Sequence, residues 1–437
     1  MNSVNHLEEA GHEQMGSKDF ASQSDTSVSK RLKVAILTRH FTPQSGGAER
    51  YSMALVNCLR ELHEVHVFAQ RIDHAPPGVH YHLISEPFKR PRWLNQWWYA
   101  YQTWRLSREG FDVVHSHENT WHGQIQSVHV VPSSVTYFSS PSPTQGGLYW
   151  IKTVAKGLGL LLSPRMMTYL WFEHLRLNAK REKHVVSVSK SLEQQLTERF
   201  SLDEDHLCTI SPGVDDAASW FSAQGLSEQS PQAKQNHARA QLGLDPSKTW
   251  LLWVGNDARK KGLKTLLHAL VKLPKDVHLM VVGQARHGQK IFNTCLQECG
   301  QEDLASRIEF LGALPDVSMA YVASDLLVHP TLEDTFGMVV LEAMSFGRPV
   351  CLSPVQCCGI AAHVKHLEEA YILEDPEDVQ ALVRGIEWLL DPYEGARIAQ
   401  AGHAWSRTQN WPDKALAMEK LYFKSLSKSA ISSSPRT

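Results

Sequence analysis

The sequence lacks a long hydrophobic run, and this excludes two kinds of segment. Residues 1–30 contain no apolar core, so we expect a disordered leader there and no secretory signal. The longest apolar stretch, 157–162, lies between Lys156 and Arg165 and is shorter than the roughly 20 apolar residues that a membrane span needs. We therefore expect no transmembrane helix.

The chain also lacks a large net charge and a disulfide framework. Its formal net charge is −2, which argues against a general nucleic-acid binder, although the first half is more basic than the second. Seven cysteines form an odd set without disulfide-module spacing, as expected in a reducing compartment. Cys295 with Cys299, and Cys357 with Cys358, have no matching ligand set of zinc-finger spacing, so we expect no metal site there.

What is present is an ordinary globular composition on a long chain. Hydrophobic residues make up 42% and charged residues 21% of 437 residues, which favours two folded domains. The predicted boundaries are a leader at 1–30, an N-terminal domain at 31–215, a linker at 216–240, a C-terminal domain at 241–404, and a terminal helix with its tail at 405–437.

The N-terminal domain begins with the pattern of a parallel α/β sheet. The run 32–38 is apolar without alternation, as in a strand covered on both faces. A loop follows, then a helix over 48–63 with Ser45 as a candidate N-cap, then a strand over 65–69. The further elements predicted in this half are strands at 112–117, 127–131, 184–189 and 206–215 and a helix at 190–200.

A second α/β series follows a polar, weakly periodic stretch. Its predicted strands are 250–255, 278–283, 307–312, 325–330 and 349–354, and its predicted helices are 263–273 and 289–298. In open α/β sheets, ligands bind beyond the carboxyl ends of the strands. Two such sheets facing each other predict a substrate cleft between the halves.

The segment 330–347, PTLEDTFGMVVLEAMSFG, concentrates the chemistry. Asp334 lies just before a predicted helix near Gly337, and Glu342 lies about one and a half turns into it. The amides of Phe336, Gly337, Met338 and Val339 offer donors to a phosphate, while the carboxylates accept hydrogen bonds from sugar hydroxyls. These features describe a sugar-nucleotide pocket; the alternative is an N-cap acid and a solvated helix glutamate.

This segment resembles the E-x7-E element of the large retaining glycosyltransferase family called group 1 or family 4. The family's first glutamate falls on Asp334, with Glu333 as a competing acid, and its second falls on Glu342. The resemblance spans 31 to about 425 and implies the two-domain GT-B fold: two Rossmann-like domains with parallel sheets facing a cleft, and a final helix that crosses back to the first domain. It also implies that the first acid contacts the transferred hexose and the second contacts the ribose.

Two further stretches resemble the family's phosphate-binding loops. In WVGNDARKKGLKTLL, the usual lysine falls on Lys261 and Lys260 stands beside it, while Asn256 replaces the usual arginine, a role open to Arg259. Three cations suit a diphosphate leaving group. The residues Gly46 and Gly47 match the first glycine loop, directly after the first strand.

Histidines cluster in 116–132. By resemblance, His129 matches the histidine near the reacting sugar carbon, whereas His117 and His122 are interpreted as structural. A metal cluster is the rival interpretation. The family binds the diphosphate with side chains and amides, so the resemblance implies that no metal or cofactor is required beyond the nucleotide-sugar substrate.

Two basic and aromatic stretches in the N-terminal half suggest a membrane contact. Residues 89–108 hold five basic residues and no acidic one, together with four tryptophans, and 149–183 hold seven basic and two acidic residues. Such faces bind anionic head groups, although core packing also accounts for some tryptophans. We expect a cytoplasmic protein with a peripheral contact on the inner face of the membrane.

The resulting prediction is a retaining hexosyltransferase. It would move a hexose from a nucleotide diphosphate sugar, with UDP favoured, to a hydroxyl of a glycan or glycolipid. Details such as VGNDARKKG look most similar to lipopolysaccharide core glucosyltransferases. The alternatives are a non-catalytic sugar-nucleotide-binding scaffold, raised by Asp334 and Asn256, and a nucleotide-sugar epimerase.

Overall fold

The computed structural model describes residues 30–42, 46–138, 163–177, 183–283, 288–299 and 302–432. Several sequence predictions fall wholly or partly outside these ranges: the leader, the N-cap at Ser45, and much of the basic stretch 149–183. The fold described here lies in the compact unit that begins at Leu32.

The N-terminal half contains a parallel sheet. Its strands are β1 (Lys33–Leu37), β3 (Glu64–Ala69), β5 (Val79–Leu83), β6 (Val113–Ser116), β7 (Ile125–Val128), β8 (His184–Ser187) and β9 (Leu207–Thr209). Two short strands, β2 (His40–Phe41) and β4 (Arg71–Ile72), pair with each other outside this sheet. In the described residues the sheet runs in the order β5-β3-β1-β6-β7-β8-β9, and every pair is parallel. The apolar runs predicted as buried strands therefore form the centre of this sheet.

Helices connect and cover these strands. They are Gly47–Leu62, Arg92–Ser107, Ser133–Phe138, Pro164–Leu177 and Lys190–Phe200. The first helix has Gly46 as its N-cap and buries one face through Tyr51, Leu55 and Leu59. The last begins at Lys190 because the Ser189 side chain accepts a hydrogen bond from the Leu192 amide.

The C-terminal half contains a second parallel sheet. Its strands are β10 (Thr249–Val254), β11 (Val277–Val282), β12 (Ile308–Gly312), β13 (Leu326–His329), β14 (Val350–Leu352) and β15 (Tyr371–Ile372). They run in the order β12-β11-β10-β13-β14-β15 among the described residues. Helices and 3-10 turns of this half are Leu263–Lys272, Gly288–Cys299, Glu302–Arg307, Ser318–Ala323, Met338–Ser345, Gly359–Ala362, Val379–Leu390 and Pro392–Ser406.

The stretch predicted as a linker carries two helices, Ala217–Ala223 and Pro231–Gln241. The second helix is fixed to the C-terminal half, because the buried Arg239 guanidinium lies 2.7 Å from the Asp325 carboxylate, just before β13. Polar composition here reflects a helix with one exposed face.

The chain passes between the halves twice, and the two passages lie side by side. Val214 donates its amide to the Gln409 carbonyl oxygen at 2.7 Å and forms a parallel bridge with Asn410. Gly213 permits this approach, since a Cβ there would lie 2.7 Å from the Trp411 nitrogen.

The C-terminal helix, Trp411–Ser432, then packs on the N-terminal half. Its Tyr422 hydroxyl lies 2.8 Å from Nδ1 of the buried His115, on β6. The predicted fold of two parallel α/β sheets with a returning final helix is confirmed. No helix in the described residues has the length and apolarity needed to cross a bilayer.

Candidate functional site

The segment 330–337 forms a fixed loop at the carboxyl end of β13. The Asp334 amide donates to the Cys357 carbonyl oxygen at 2.7 Å, and the Ile360 amide donates to the Phe336 carbonyl oxygen at 2.6 Å. Phe336 itself is buried. The loop is therefore held by backbone bonds to the chain after β14.

Gly337 turns this loop into the helix Met338–Ser345. It is the N-cap with φ of 99°, and a Cβ there would lie 2.7 Å from the Cys358 sulfur. Only glycine satisfies both conditions without strain. The amides of Met338 and Val339 belong to the first turn and have no intrahelical acceptors, so they are available to an anion beside the loop, whereas the Val340 amide donates to the Gly337 carbonyl oxygen at 3.0 Å.

Lys261 and Asp334 meet at the centre of the site. The Lys261 ammonium lies 2.6 Å from Asp334 Oδ2, and His329 Nε2 lies 3.0 Å from the same oxygen. Burial by itself would raise the pKa of Asp334, but the Lys261 charge and the His329 hydrogen bond lower it below its ordinary value. Burial lowers the pKa of His329, which favours a neutral ring that donates to a charged carboxylate.

The two other predicted cations are more exposed than Lys261. Lys260 pairs with Glu333 at 2.8 Å, and both side chains are more than half exposed. Arg259 is exposed in the same turn, where Asp257 accepts hydrogen bonds from the Arg259 and Lys260 amides. Of the two competing acids, Asp334 reaches Lys261 with its carboxylate, whereas Glu333 offers Lys261 only its carbonyl oxygen, at 3.2 Å.

The lysine turn packs directly on the loop of the two acids. The Leu332 amide donates to the Lys260 carbonyl oxygen at 2.7 Å. Gly262 has φ of 67°, and a Cβ there would lie 1.8 Å from the Pro330 carbonyl oxygen. This close approach places two predicted binding segments, about seventy residues apart in the chain, in one surface.

Glu342 faces the N-terminal half. Its carboxylate is bound by the Arg50 guanidinium and accepts a hydrogen bond from the Tyr321 hydroxyl at 2.6 Å. The Glu342 charge raises the pKa of Arg50, and burial raises the pKa of nearby Asp215. An ion pair therefore joins the two halves at the residue predicted to hold the ribose.

The glycine loop lies against the start of the same helix. A Cβ on Gly47 would lie 3.6 Å from the Met338 sulfur, so this glycine and the predicted phosphate amides are neighbours. Gly46 is the N-cap of Gly47–Leu62, whose amino end faces this region. The structure thus brings the predicted loop residues of both halves together.

His129 follows β7 and has its described contacts in the N-terminal half. Its Nε2 lies 2.9 Å from His117 Nδ1, and its ring meets Tyr51 edge-on at 4.9 Å between centroids. Burial lowers the pKa of His129 and of His122 to about 3, so both rings are neutral near pH 7. His129 is thus a neutral hydrogen-bonding group.

Sequence reasoning did not assign Arg50, Tyr321 or His329 to the site. Arg50 had a signal, because it stands three residues after the glycine pair at the start of a helix. His329 ends a predicted strand one residue before the motif. Nothing in the local pattern marks Tyr321.

Two family models match the chain. The model described as Glycosyltransferase Family 4 matches residues 45–218, and the model described as Glycosyl transferases group 1 matches residues 248–392. Together they cover the strands of both halves except β1 and β2, and they include the loops that hold Gly46, Lys261 and Asp334.

Curated relatives align over most of the chain. The lipopolysaccharide glucosyltransferase WaaG of Escherichia coli K12 is 24% identical over 340 residues, covering 76% of this chain and 82% of that protein. A D-inositol 3-phosphate glycosyltransferase of Pseudarthrobacter chlorophenolicus is 25% identical over 417 residues, covering 86% and 93%.

Solved structures share the whole fold. The crystal structure of WaaG superposes with a TM-score of 0.71 at 21% identity, covering 89% of this chain and 98% of that chain. Anabaena HepE in complex with UDP and glucose superposes with a TM-score of 0.66 at 18% identity, covering 90% and 99%. The architecture of two facing α/β bodies is therefore common to this chain and these proteins.

Proposed function

Since the chain belongs to the family 4, or group 1, glycosyltransferases and has the GT-B fold, we propose that it is a retaining hexosyltransferase. It transfers a hexose from a nucleotide diphosphate sugar to a hydroxyl of a glycan or glycolipid. The observation that carries this proposal is the Lys261–Asp334 pair beside the amino end of Met338–Ser345.

This arrangement offers binding groups for the diphosphate, the hexose and the ribose of a nucleotide sugar. The ammonium of Lys261 and the amides of Gly337, Met338 and Val339 suit the diphosphate, because cations and helix amino ends stabilise phosphate oxygens. Asp334 and Glu342 supply acceptors for hexose and ribose hydroxyls. Without donor, the Lys261 ammonium is paired with Asp334. When the donor binds, the diphosphate becomes a second partner of this ammonium.

The transfer step follows from these roles. The bond between the anomeric carbon and the phosphate oxygen breaks, and the acceptor oxygen bonds to the same face of that carbon. The acceptor proton passes to the leaving phosphate oxygen, so no carboxylate needs to act as the general base. Lys261 stabilises the departing diphosphate, and Asp334 and His129 orient the sugar.

We further propose that transfer needs no metal ion. Arg259, Lys260 and Lys261 supply positive charge for the diphosphate from the chain itself. Activity retained after exhaustive chelation with EDTA would agree with this proposal. Loss of activity that Mg²⁺ or Mn²⁺ restores would contradict it.

For the donor we favour a UDP-hexose. The support is the similarity to WaaG, named as a lipopolysaccharide glucosyltransferase, and to HepE, whose structure holds UDP and glucose. A role in lipopolysaccharide or another cell-surface polysaccharide is proposed on the same ground.

The acceptor side of the proposal includes an inner-membrane contact. An apolar groove of about 340 Å³ lies on Arg92–Ser107, with the lining residues Phe88, Leu94, Trp97, Trp98, Tyr101 and Trp121. Exposed Arg90 and Arg105 lie just before and on this helix, and exposed Arg165 lies on the helix Pro164–Leu177, whose Trp171 stacks on Trp97. This combination suits an anionic lipid surface. Sedimentation with anionic vesicles should show binding that high salt weakens, whereas neutral vesicles should not bind.

A donor screen tests the enzymatic proposal. Purified protein is incubated with a panel of UDP-, GDP- and ADP-sugars and a bacterial lipid extract, and products are identified by mass spectrometry. Transfer of one hexose supports the proposal. Donor isomerised or hydrolysed regardless of acceptor favours the epimerase, and nucleotide binding without turnover favours a non-catalytic scaffold.

A further inference from the structure

A cluster of histidines lies at the outer edge of the first sheet, away from the proposed donor site. Strand β5 is the edge strand, and it pairs with β3 in a register that sets His80 opposite His66. Glu64 begins β3 on the same face. One ligand atom from each of Glu64, His66 and His80 lies within 4.8 Å of the others.

The buried member of this cluster, His66, is held on both ring nitrogens. Its Nε2 lies 2.8 Å from Glu64 Oε1, and its Nδ1 lies 2.9 Å from His82 Nε2. The His66 ring also stacks on His80 at 4.5 Å and meets Phe111 edge-on at 5.0 Å. Packing and hydrogen bonds therefore fix this ring before any ligand binds.

We propose that Glu64, His66 and His80 form a binding site for a divalent transition-metal ion, with Zn²⁺ the best match. Two imidazoles and one carboxylate are a ligand set that zinc accepts, with water completing the coordination. His66 binds through Nε2, while its Nδ1–H donates to His82. This outer hydrogen bond fixes the tautomer that a metal-binding histidine needs.

The metal replaces a proton in this arrangement. Without metal, Nε2–H of His66 donates to the Glu64 carboxylate and His66 Nδ1 accepts from His82. On binding, the ion takes the place of the proton at Nε2, this proton moves to Nδ1, and His82 changes to the tautomer whose Nε2 accepts the hydrogen bond. Metal binding requires each ligand atom to be unprotonated, and this tautomer leaves His66 Nε2 without a proton.

One nearby cation opposes the metal. The Lys33 ammonium lies 3.4 Å from Glu64 Oε1 and 5.5 Å from the Phe111 ring centroid. It competes for the carboxylate and repels a dication. Removing this charge should therefore tighten metal binding, which distinguishes a real site from a chance grouping of histidines.

The site belongs to the edge of the sheet and is separate from catalysis. Glu64, His66 and His80 lie in the first half of their strands, whereas the glycine loop follows the carboxyl end of β1. A bound ion would tie the edge strand β5 to β3. The expected consequence is greater thermal stability, with hexose transfer unchanged.

The test measures Zn²⁺ binding to the full-length, tag-free protein by calorimetry and metal analysis. We expect one Zn²⁺ per chain, lost or weakened at least about tenfold in His80→Ala and in Glu64→Gln. Lys33→Gln should bind Zn²⁺ more tightly than the wild type. His237→Ala, an exposed histidine on Pro231–Gln241, is the matched control and should bind as the wild type does.

A second readout is thermal. Zn²⁺ should raise the Tm of the wild type by about 2 to 5 °C and leave that of His80→Ala unchanged. Circular dichroism of the metal-free variants verifies their folding, and His80 is exposed, so its loss should not unfold the sheet. No Zn²⁺ binding by the wild type, or equal binding by His80→Ala and Glu64→Gln, would overturn the proposal.

Discussion

Lys261 and Asp334 hold opposite charges in contact at the place where a diphosphate is proposed to bind. Lys261→Ala should lower kcat about 100-fold, because one electrostatic contact to a leaving group contributes on that scale. The control is Lys264→Ala, an exposed lysine of the following helix that lies 3.5 Å from Glu298, for which we expect no loss. Steady-state kinetics with the donor found by the screen measures kcat of both variants. Equal losses of kcat would contradict the assignment of Lys261 to the diphosphate.

The Asp334 carboxylate makes folding sensitive to acid. Its folded pKa lies below the unfolded value of about 3.9, so its stabilisation is fully present above that value and is lost as pH falls through the folded pKa. Asp334→Asn should therefore be less stable than the wild type at pH 7, with a smaller difference at pH 3. Urea unfolding at the two pH values measures this, and a difference that grows at pH 3 would refute it.

Arg50 forms an ion pair with the Glu342 carboxylate, which is proposed to accept hydrogen bonds from the ribose. Arg50→Ala should therefore strengthen binding of UDP, while Glu342→Ala should weaken it by loss of the ribose contact. Arg60→Ala on the same helix is the control, since Arg60 contacts the Pro77 carbonyl oxygen and Glu61. Calorimetric titration gives the affinities. Weaker UDP binding by Arg50→Ala would instead make Arg50 a donor-binding residue.

At the scale of elements, the helix Met338–Ser345 has a glycine at each end in the left-handed region. Gly347→Ala meets open space and should cost about 1 to 2 kcal/mol from φ strain alone. Gly337→Ala adds a clash with Cys358 and should cost more, and should also weaken donor binding. Urea unfolding and nucleotide titration of both variants measure this, and equal costs would show that the clash relaxes.

The sequence pattern predicted where several helices and strands lie, but it predicted the ends of an element only where local residues determine them. The helix predicted at 190–200 matches Lys190–Phe200 because a serine cap and a left-handed Ser201 mark its ends. The strand predicted at 206–215 is only Leu207–Thr209, since the chain then leaves the sheet and pairs with the passage at 409–410. That pairing depends on residues two hundred positions away, which no local pattern contains.

The residues of the candidate site could be grouped from the sequence where they are close in the chain. Gly337, Asp334 and Glu342 lie within one motif, and resemblance added Lys261. The Arg50–Glu342 ion pair was not predicted, because its partners are 292 residues apart and only the folded halves bring them together. The Tyr321 hydrogen bond to Glu342 was also not predicted, although Tyr321 lies only 21 residues earlier, on a neighbouring helix of the same half.

For the whole molecule, the C-terminal helix fastens the end of the chain to the first sheet. Tyr422→Phe should lower the free energy of unfolding by about 1 to 3 kcal/mol, because it leaves buried His115 without its hydroxyl partner. Tyr393→Phe is the control, since that side chain is 74% exposed. Urea denaturation measures the free energy of unfolding of both variants. If Tyr422→Phe has the same free energy of unfolding as the wild type, the hydroxyl does not stabilise the contact of the helix with the sheet.

The paired passages at Val214 and Asn410 also limit how the molecule can move. The halves are covalently joined at these two adjacent passages, so rotation about the line through them keeps the bridge intact, but it would separate Arg50 from Glu342. Shear and sliding would break the bridge, whereas rotation preserves it. The distance between Gly47 and Met338, which are neighbours in this structure, should then change far more than distances near Trp411, and a pair of spectroscopic labels at each place would report this rotation.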